Sequence, residues 1–219
     1  MFQLDKTNSI ACHFLAELRD KTVQSDSLRF RRNLERIGEI LAYEISKSLQ
    51  YESGQTQTPL GSKETTALQR SPVLVTILRA GLPFHQGFLN MFDKAESAFV
   101  GASRSPENEA GEFEIITDYV ASPNLDGKDI IIVDPMLATG RSAIAALELL
   151  AKFGKPSSVH FASVIASAEG VEFVARCNPN HKIWVGSIDS TLNHKAYIIP
   201  GLGDAGDLAY GPKLDIGNN

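Results

Sequence analysis

Long apolar runs are missing from this sequence. No stretch of its 219 residues approaches the eighteen or so uncharged apolar positions that a membrane-crossing helix needs, so no membrane partner is expected. Cysteine is scarce. Cys12 and Cys177 stand alone, without a second cysteine or a histidine at metal-ligand spacing, which argues against a disulfide framework or a zinc site and for two reduced thiols. A basic excess is also missing: 21 Lys and Arg stand against 26 Asp and Glu, a net charge of −5. That balance does not suit a dedicated nucleic-acid binder, although a local pocket of backbone N–H groups and one or two arginines can hold a phosphate on an acidic protein. The segment Met1 to Cys12 carries Asp5 and Lys6 and no apolar core of the kind a secretory leader uses, so the expected location is the cytoplasm. There is no internal repeat. The five histidines, His13, His85, His160, His181 and His194, form no metal pattern and read as structural or solvent-facing.

What is present is an alternation of helical and strand-like segments. Leu28, Leu34, Ile37, Ile40, Leu41, Ile45 and Leu49 recur at spacings of three and four, which predicts a helix over Ser27 to Gln50. Its other face begins with Arg29, Arg31 and Arg32, either a solvated face or a phosphate or effector contact. Glu52 to Ser71 is polar and reads as a loop or excursion. Strands are expected at Val73 to Leu78, Ala98 to Gly101, Ile130 to Val133, Val159 to Ile165 and Lys182 to Ser187. Helices are expected near Pro83 to Phe92, Ser142 to Phe153 and Glu169 to Arg176. Strand, helix, strand at this spacing means βαβ units and a mostly parallel sheet, and continuous apolar strands mean a sheet covered on both faces. Ser103 to Asp118, with Pro106, Gly111 and several acids, suits a flexible hairpin or lid.

The sharpest chemical signal is Ile130-Ile131-Ile132-Val133-Asp134-Pro135-Met136-Leu137-Ala138-Thr139-Gly140-Arg141-Ser142-Ala143. A buried strand ends at a carboxylate, and the chain turns through small and hydroxyl residues into a helix. Backbone N–H groups over Ala138 to Ser142, with the helix N-terminus behind them, would make an anion cradle for a phosphate monoester. Thr139 and Ser142 add hydroxyls. Asp134, at the carboxyl end of its strand, could accept hydrogen bonds from the vicinal hydroxyls of a ribose. The run is neither a Walker loop nor GxGxxG. The same spacing also suits an aspartate that merely caps an ordinary βα turn, and spacing alone does not choose.

The segment from Val133 to Gly140 resembles the binding signature for 5-phosphoribosyl-1-pyrophosphate (PRPP) of type I phosphoribosyltransferases, in the form carried by uracil phosphoribosyltransferases. Most type I enzymes have two adjacent acids here; Val133 takes the first place, as in the uracil-specific branch. Arg36-Ile37-Gly38, Ala42-Tyr43-Glu44, Thr58-Pro59-Leu60-Gly61 and Leu78-Arg79-Ala80-Gly81-Leu82-Pro83 resemble the same family in the same order. The run from Tyr197 to Asp207 is similar to its uracil-binding segment nearly letter for letter. The likeness covers about residues 25 to 213 and weakens between about 103 and 125.

The resemblance implies an α/β type I phosphoribosyltransferase fold: a central, mostly parallel sheet flanked by helices, with an N-terminal arm and a flexible hood. It implies one domain over 1–219, with the hood at about 103–125 and a uracil-binding segment at about 190–219. The implied reaction joins uracil to PRPP, giving UMP and pyrophosphate. Arg79 resembles the pyrophosphate-loop arginine, and Arg104 stands where the family has a second PRPP arginine. Asp134, Pro135, Met136, Leu137, Ala138, Thr139, Gly140, Arg141 and Ser142 would hold the ribose hydroxyls and 5′-phosphate. Ile198, Gly203 and Ala205 would present backbone groups to uracil. Asp204 resembles the carboxylate beside the pyrophosphate and its Mg²⁺, the metal arriving with PRPP rather than on ligands of the chain's own. A homodimer or higher assembly, and a GTP effector as in some relatives, belong to the same expectation. The sequence departs from the pattern at Arg141, where the family has a second glycine, and at Ser103 and Ser105, which flank Arg104 in place of an aromatic and an acid. Two other readings fit less well: a relative acting on another base, against which the intact tail speaks, and a UMP-sensing RNA-binding regulator on this fold, against which the acidic pI speaks.

Overall fold

The computed structural model describes residues 1–104 and 115–213. Residues 105–114 of the expected hood and 214–219 of the C-terminal segment lie outside the described residues. The chain opens with β1 (Phe2–Gln3), α1 (Ile10–Arg19) and α2 (Ser27–Ser46). A hairpin of β2 (Tyr51–Thr58) and β3 (Gly61–Leu68) follows, then β4 (Val73–Leu78), α3 (Gly81–Met91), β5 (Ser97–Arg104) and β6 (Ile115–Ala121). Next come β7 (Asp129–Val133), β8 (Met136–Leu137), α4 (Arg141–Leu150), β9 (Ser158–Ser167), α5 (Ala168–Cys177) and β10 (Lys182–Asp189). The chain then forms β11 (Thr191–Leu192), β12 (Ile198–Ile199) and α6 (Ala205–Tyr210).

Among the described residues the main sheet runs β1-β10-β9-β7-β4-β5-β6, with β8 also paired to β9. Its pairings are parallel except β5 with β6. In β7 the pleat explains the unbroken apolar run. Ile131 and Val133 face a core with Phe30, Leu34, Ile37, Phe84 and Phe88 of α2 and α3. Ile130 and Ile132 face a second core with Ala143, Ala146 and Leu150 of α4 and Val174 of α5. A strand covered on both faces has no polar side to show.

Three expectations change here. The polar stretch after α2 is a two-stranded antiparallel hairpin with eight paired positions, not a loop. Nearly all its side chains are exposed, so no apolar alternation marks it in the sequence. The helix expected to run to Gln50 stops at Ser46. The arginines at its start are bound to the chain itself: Arg29 to Glu17, Arg31 to the carbonyl of Ala209, and Arg32 to Glu35. The N-terminal arm is tied down, β1 extending the sheet beside β10 and α1 burying Ala11, Leu15 and Leu18.

Candidate functional site

The strand order creates a crevice. From β4 the chain crosses through α3 to β5 on one side; from β7 it crosses through α4 to β9 on the other. β4 and β7 are neighbours, so the chain diverges at their carboxyl ends. Such a switch point is where open α/β sheets bind ligands. Arg79 follows β4 directly, and Asp134 follows β7 directly.

Asp134 is half-buried, and its Oδ1 accepts from the Met136 N–H at 3.3 Å. The Pro135 carbonyl accepts from the N–H groups of Val164 and Ile165, at 3.1 and 3.0 Å. Met136 and Leu137 then pair with Ile165 and Ala166 as a short strand. The expected tight turn is therefore shorter than the sequence suggests. Met136–Leu137 is a strand sewn to β9, with the Pro135 carbonyl bonded ahead of it, and the Leu137 side chain is buried in the α4–α5 core, unable to touch a ligand. Only its backbone is left to serve a ligand.

The turn itself is Ala138, Thr139 and Gly140. Ser167 fixes its root: the hydroxyl donates to the Ala138 carbonyl at 2.5 Å and accepts from the Gly170 N–H at 2.9 Å, capping α5. Gly140 has φ of 76°, a left-handed conformation that suits glycine. Arg141 is the first helical residue, exposed, its N–H lying 3.4 Å from the Thr139 hydroxyl oxygen. The positive φ falls on the glycine that the chain keeps, one residue before the arginine. The turn therefore does not require a second glycine.

On the other side of the crevice Arg79 reaches the C-terminal turn. Its Nη2 donates to Asp207 Oδ1 at 3.2 Å and to the Gly211 carbonyl at 3.3 Å, while its buried Nε has no partner among the described residues. An unpaired buried guanidinium donor is costly, and an arriving anion would satisfy it. Asp204 caps α6: its Oδ1 accepts from the N–H groups of Gly206 and Asp207 at 2.9 and 3.0 Å. Its second oxygen has no partner among the described residues. Asp207 and Ser167 escaped the sequence reading. Asp207 sits in the quoted tail motif, so a search for a carboxylate able to pair with Arg79 could have found it; nothing local marks Ser167.

The base segment is built on β12. Ile198 is buried and pairs with Leu192, and Leu202, Ala205 and Ala209 join the α1–α3 core. Gly203 is exposed, with φ of 93°. The structure thus brings Arg79 onto the turn that carries Asp204 and sets Asp134 to Ser142 at the end of the neighbouring strand. Arg104 ends β5, the strand next to β4; its side chain is outside the described residues.

A family model for uracil phosphoribosyltransferase matches residues 6–212. The chain belongs to that family. A uracil phosphoribosyltransferase of Porphyromonas gingivalis is 49% identical over 215 residues, 98% of this chain and 99% of its own. One of Pyrococcus furiosus is 38% identical over 205 residues, 92% of this chain and 86% of its own. The solved structure of a protein from Aquifex aeolicus superposes with a TM-score of 0.84 at 33% identity, covering 96% of this chain and 98% of that one. The uracil phosphoribosyltransferase family thus accounts for the α/β architecture, the mostly parallel sheet and the order of the motifs along it. No helix among the described residues is long and apolar enough to cross a membrane.

Proposed function

We propose that the chain, acting as one domain, transfers the phosphoribosyl group of PRPP to uracil, giving UMP and pyrophosphate. The observation that carries this reading is the meeting of Arg79 with the Asp204–Asp207 turn beside the β4–β7 crevice. Arg79, with its unpaired Nε, suits the pyrophosphate. The Ala138 to Ser142 turn, opening α4, suits the 5′-phosphate, and Asp134 the ribose hydroxyls. Arg104 would add a second contact to PRPP. Backbone groups of Ile198, Gly203 and Ala205 suit the O4, N3 and O2 edge of uracil.

The open oxygen of Asp204 is a hard, anionic donor of the kind Mg²⁺ prefers, so this side chain fits a metal carried in on the pyrophosphate. When bound, that metal would neutralise the departing pyrophosphate. The residues of the chain otherwise position and shield. The bond from the ribose C1 to the pyrophosphate oxygen breaks, the bond to the uracil N1 forms, and the N1 proton leaves. Positive charge develops on the ribose between two groups held in place, so orientation supplies much of the rate. A cytoplasmic location, checked by fractionation, and a homodimer or larger assembly belong to the same proposal.

The test is direct. Purified protein is given labelled uracil, PRPP and Mg²⁺, and UMP and pyrophosphate are measured, with and without GTP. Equimolar products, lost when the metal is chelated, are expected. Absence of UMP formation from uracil would overturn the reading, and a rise with GTP would identify the effector.

A further inference from the structure

We propose that Arg19 and Asp189 are positioning residues for base recognition, a clamp that sets the uracil-contacting backbone from 170 residues apart in sequence. This rests on the reading of residues 198–205 as the base segment.

Asp189 ends β10 and is 8% exposed. Arg19 ends α1. The two pair in bidentate fashion, Nη1 to Oδ2 at 2.7 Å and Nη2 to Oδ1 at 2.9 Å, and Nη2 also donates to the Ser187 hydroxyl at 3.0 Å. Both then take hold of Gly201. The Gly201 N–H donates to Asp189 Oδ2 at 2.9 Å, and its carbonyl accepts from Arg19 Nη1 at 3.0 Å. One residue of the base segment is thus fixed at both backbone polar groups by charged partners.

Gly201 is not a bystander in that segment. It has φ of 59°, and a Cβ placed on it would lie 2.1 Å from the Ile198 carbonyl oxygen. Its backbone therefore packs against one of the groups assigned to uracil. Held at both ends, it sets where the Ile198 carbonyl and, two residues on, the Gly203 backbone lie. Charge-assisted hydrogen bonds in a buried setting are short and directional, and small displacements of positioning groups have large effects on binding and rate. The clamp acts through Gly201, and it ties the end of α1 to the base segment.

Two variants keep size while weakening the clamp. Asp189→Asn replaces one accepting oxygen by an N–H₂ that faces donors. Arg19→Lys keeps the charge but loses the two-pronged fork, and serves as the milder case if Asp189→Asn fails to fold. Each should raise the uracil KM at least about tenfold, the scale of one charge-assisted hydrogen bond, while the PRPP KM stays within about threefold. A purely structural role would lower the melting temperature and move both constants together. An unchanged uracil KM, or parallel rises, would overturn the proposal. Hydrogen exchange gives a readout independent of turnover: peptides spanning 198–203 should exchange faster in Arg19→Lys than in the unsubstituted chain. Equal exchange refutes the clamp whatever the activity. If the unsubstituted chain makes no UMP, the base reading fails, and the exchange comparison still decides the clamp.

Discussion

At the scale of single residues, Asp204 uses its two oxygens differently. Oδ1 caps α6, and the other oxygen has no partner among the described residues. Asparagine caps a helix about as well as aspartate, so Asp204→Asn should fold normally by circular dichroism. It removes the charge proposed to face the metal pyrophosphate, and turnover should fall at least about 10²-fold, the scale of losing one well-placed electrostatic group. Near-normal turnover would count against its role. Arg141 gives the opposite expectation. Gly140 already supplies the left-handed turn, and Arg141 is exposed at the first helical position. Arg141→Gly should leave the PRPP KM within about threefold, under one charge-assisted hydrogen bond. A tenfold rise or more, on the scale in which about 1.4 kcal/mol is a factor of ten, would show the guanidinium on the phosphate. These candidate positions could be picked out because each lies in a contiguous motif. Asp189 and Arg19 could not, since no local pattern links the end of α1 to the end of β10.

At the scale of elements, the expected strands and helices of the βαβ core were legible within a few residues, whereas α1 was read only as part of an N-terminal arm although it buries Ala11, Leu15 and Leu18. β7 was read as Ile130 to Val133 and runs Asp129–Val133; α4 was read from Ser142 and begins at Arg141. The β2–β3 hairpin was missed because burial produces the periodic signal and this hairpin buries almost nothing. The turn after Asp134 was misjudged because the pairing of Met136 and Leu137 with β9 is set by tertiary contact, not by their own sequence. The Ser167 hydroxyl ties the start of α5 to the turn proposed to hold the phosphate. Ser167 is fully buried and joins the α5 cap to the Ala138 carbonyl. Ser167→Ala should cost roughly 1–2 kcal/mol of stability as a lost cap, seen in urea melts. It should also raise the PRPP KM and leave the uracil KM unchanged. A loss of stability with neither constant altered would separate the cap from the cradle.

At the scale of the whole molecule, two buried histidines tie stability to pH. His160 is fully buried; its Nδ1 accepts from the Trp184 indole N–H at 3.1 Å, which leaves the proton on Nε2, 3.2 Å from the Ser158 hydroxyl. His85 lies 3.0 Å from the Ser97 hydroxyl. Burial pushes both imidazoles down to about 4. The folded state therefore binds fewer protons than the unfolded chain between about pH 6.5 and 4. Their contribution is complete above about 6.5 and is lost as the pH falls through about 4, by roughly 3 kcal/mol per ring. The melting temperature should drop across that window, and less steeply in His160→Gln; a flat profile would contradict the neutral buried rings. The central claim is that one folded unit recognises uracil through fixed backbone groups and places it against PRPP. The most direct test compares kcat/KM for uracil and cytosine with saturating PRPP and Mg²⁺. Cytosine reverses the donor and acceptor pattern at positions 3 and 4 and would leave buried polar groups unpaired, so uracil should be preferred by roughly 10⁴-fold or more. Comparable turnover of the two bases would contradict the account.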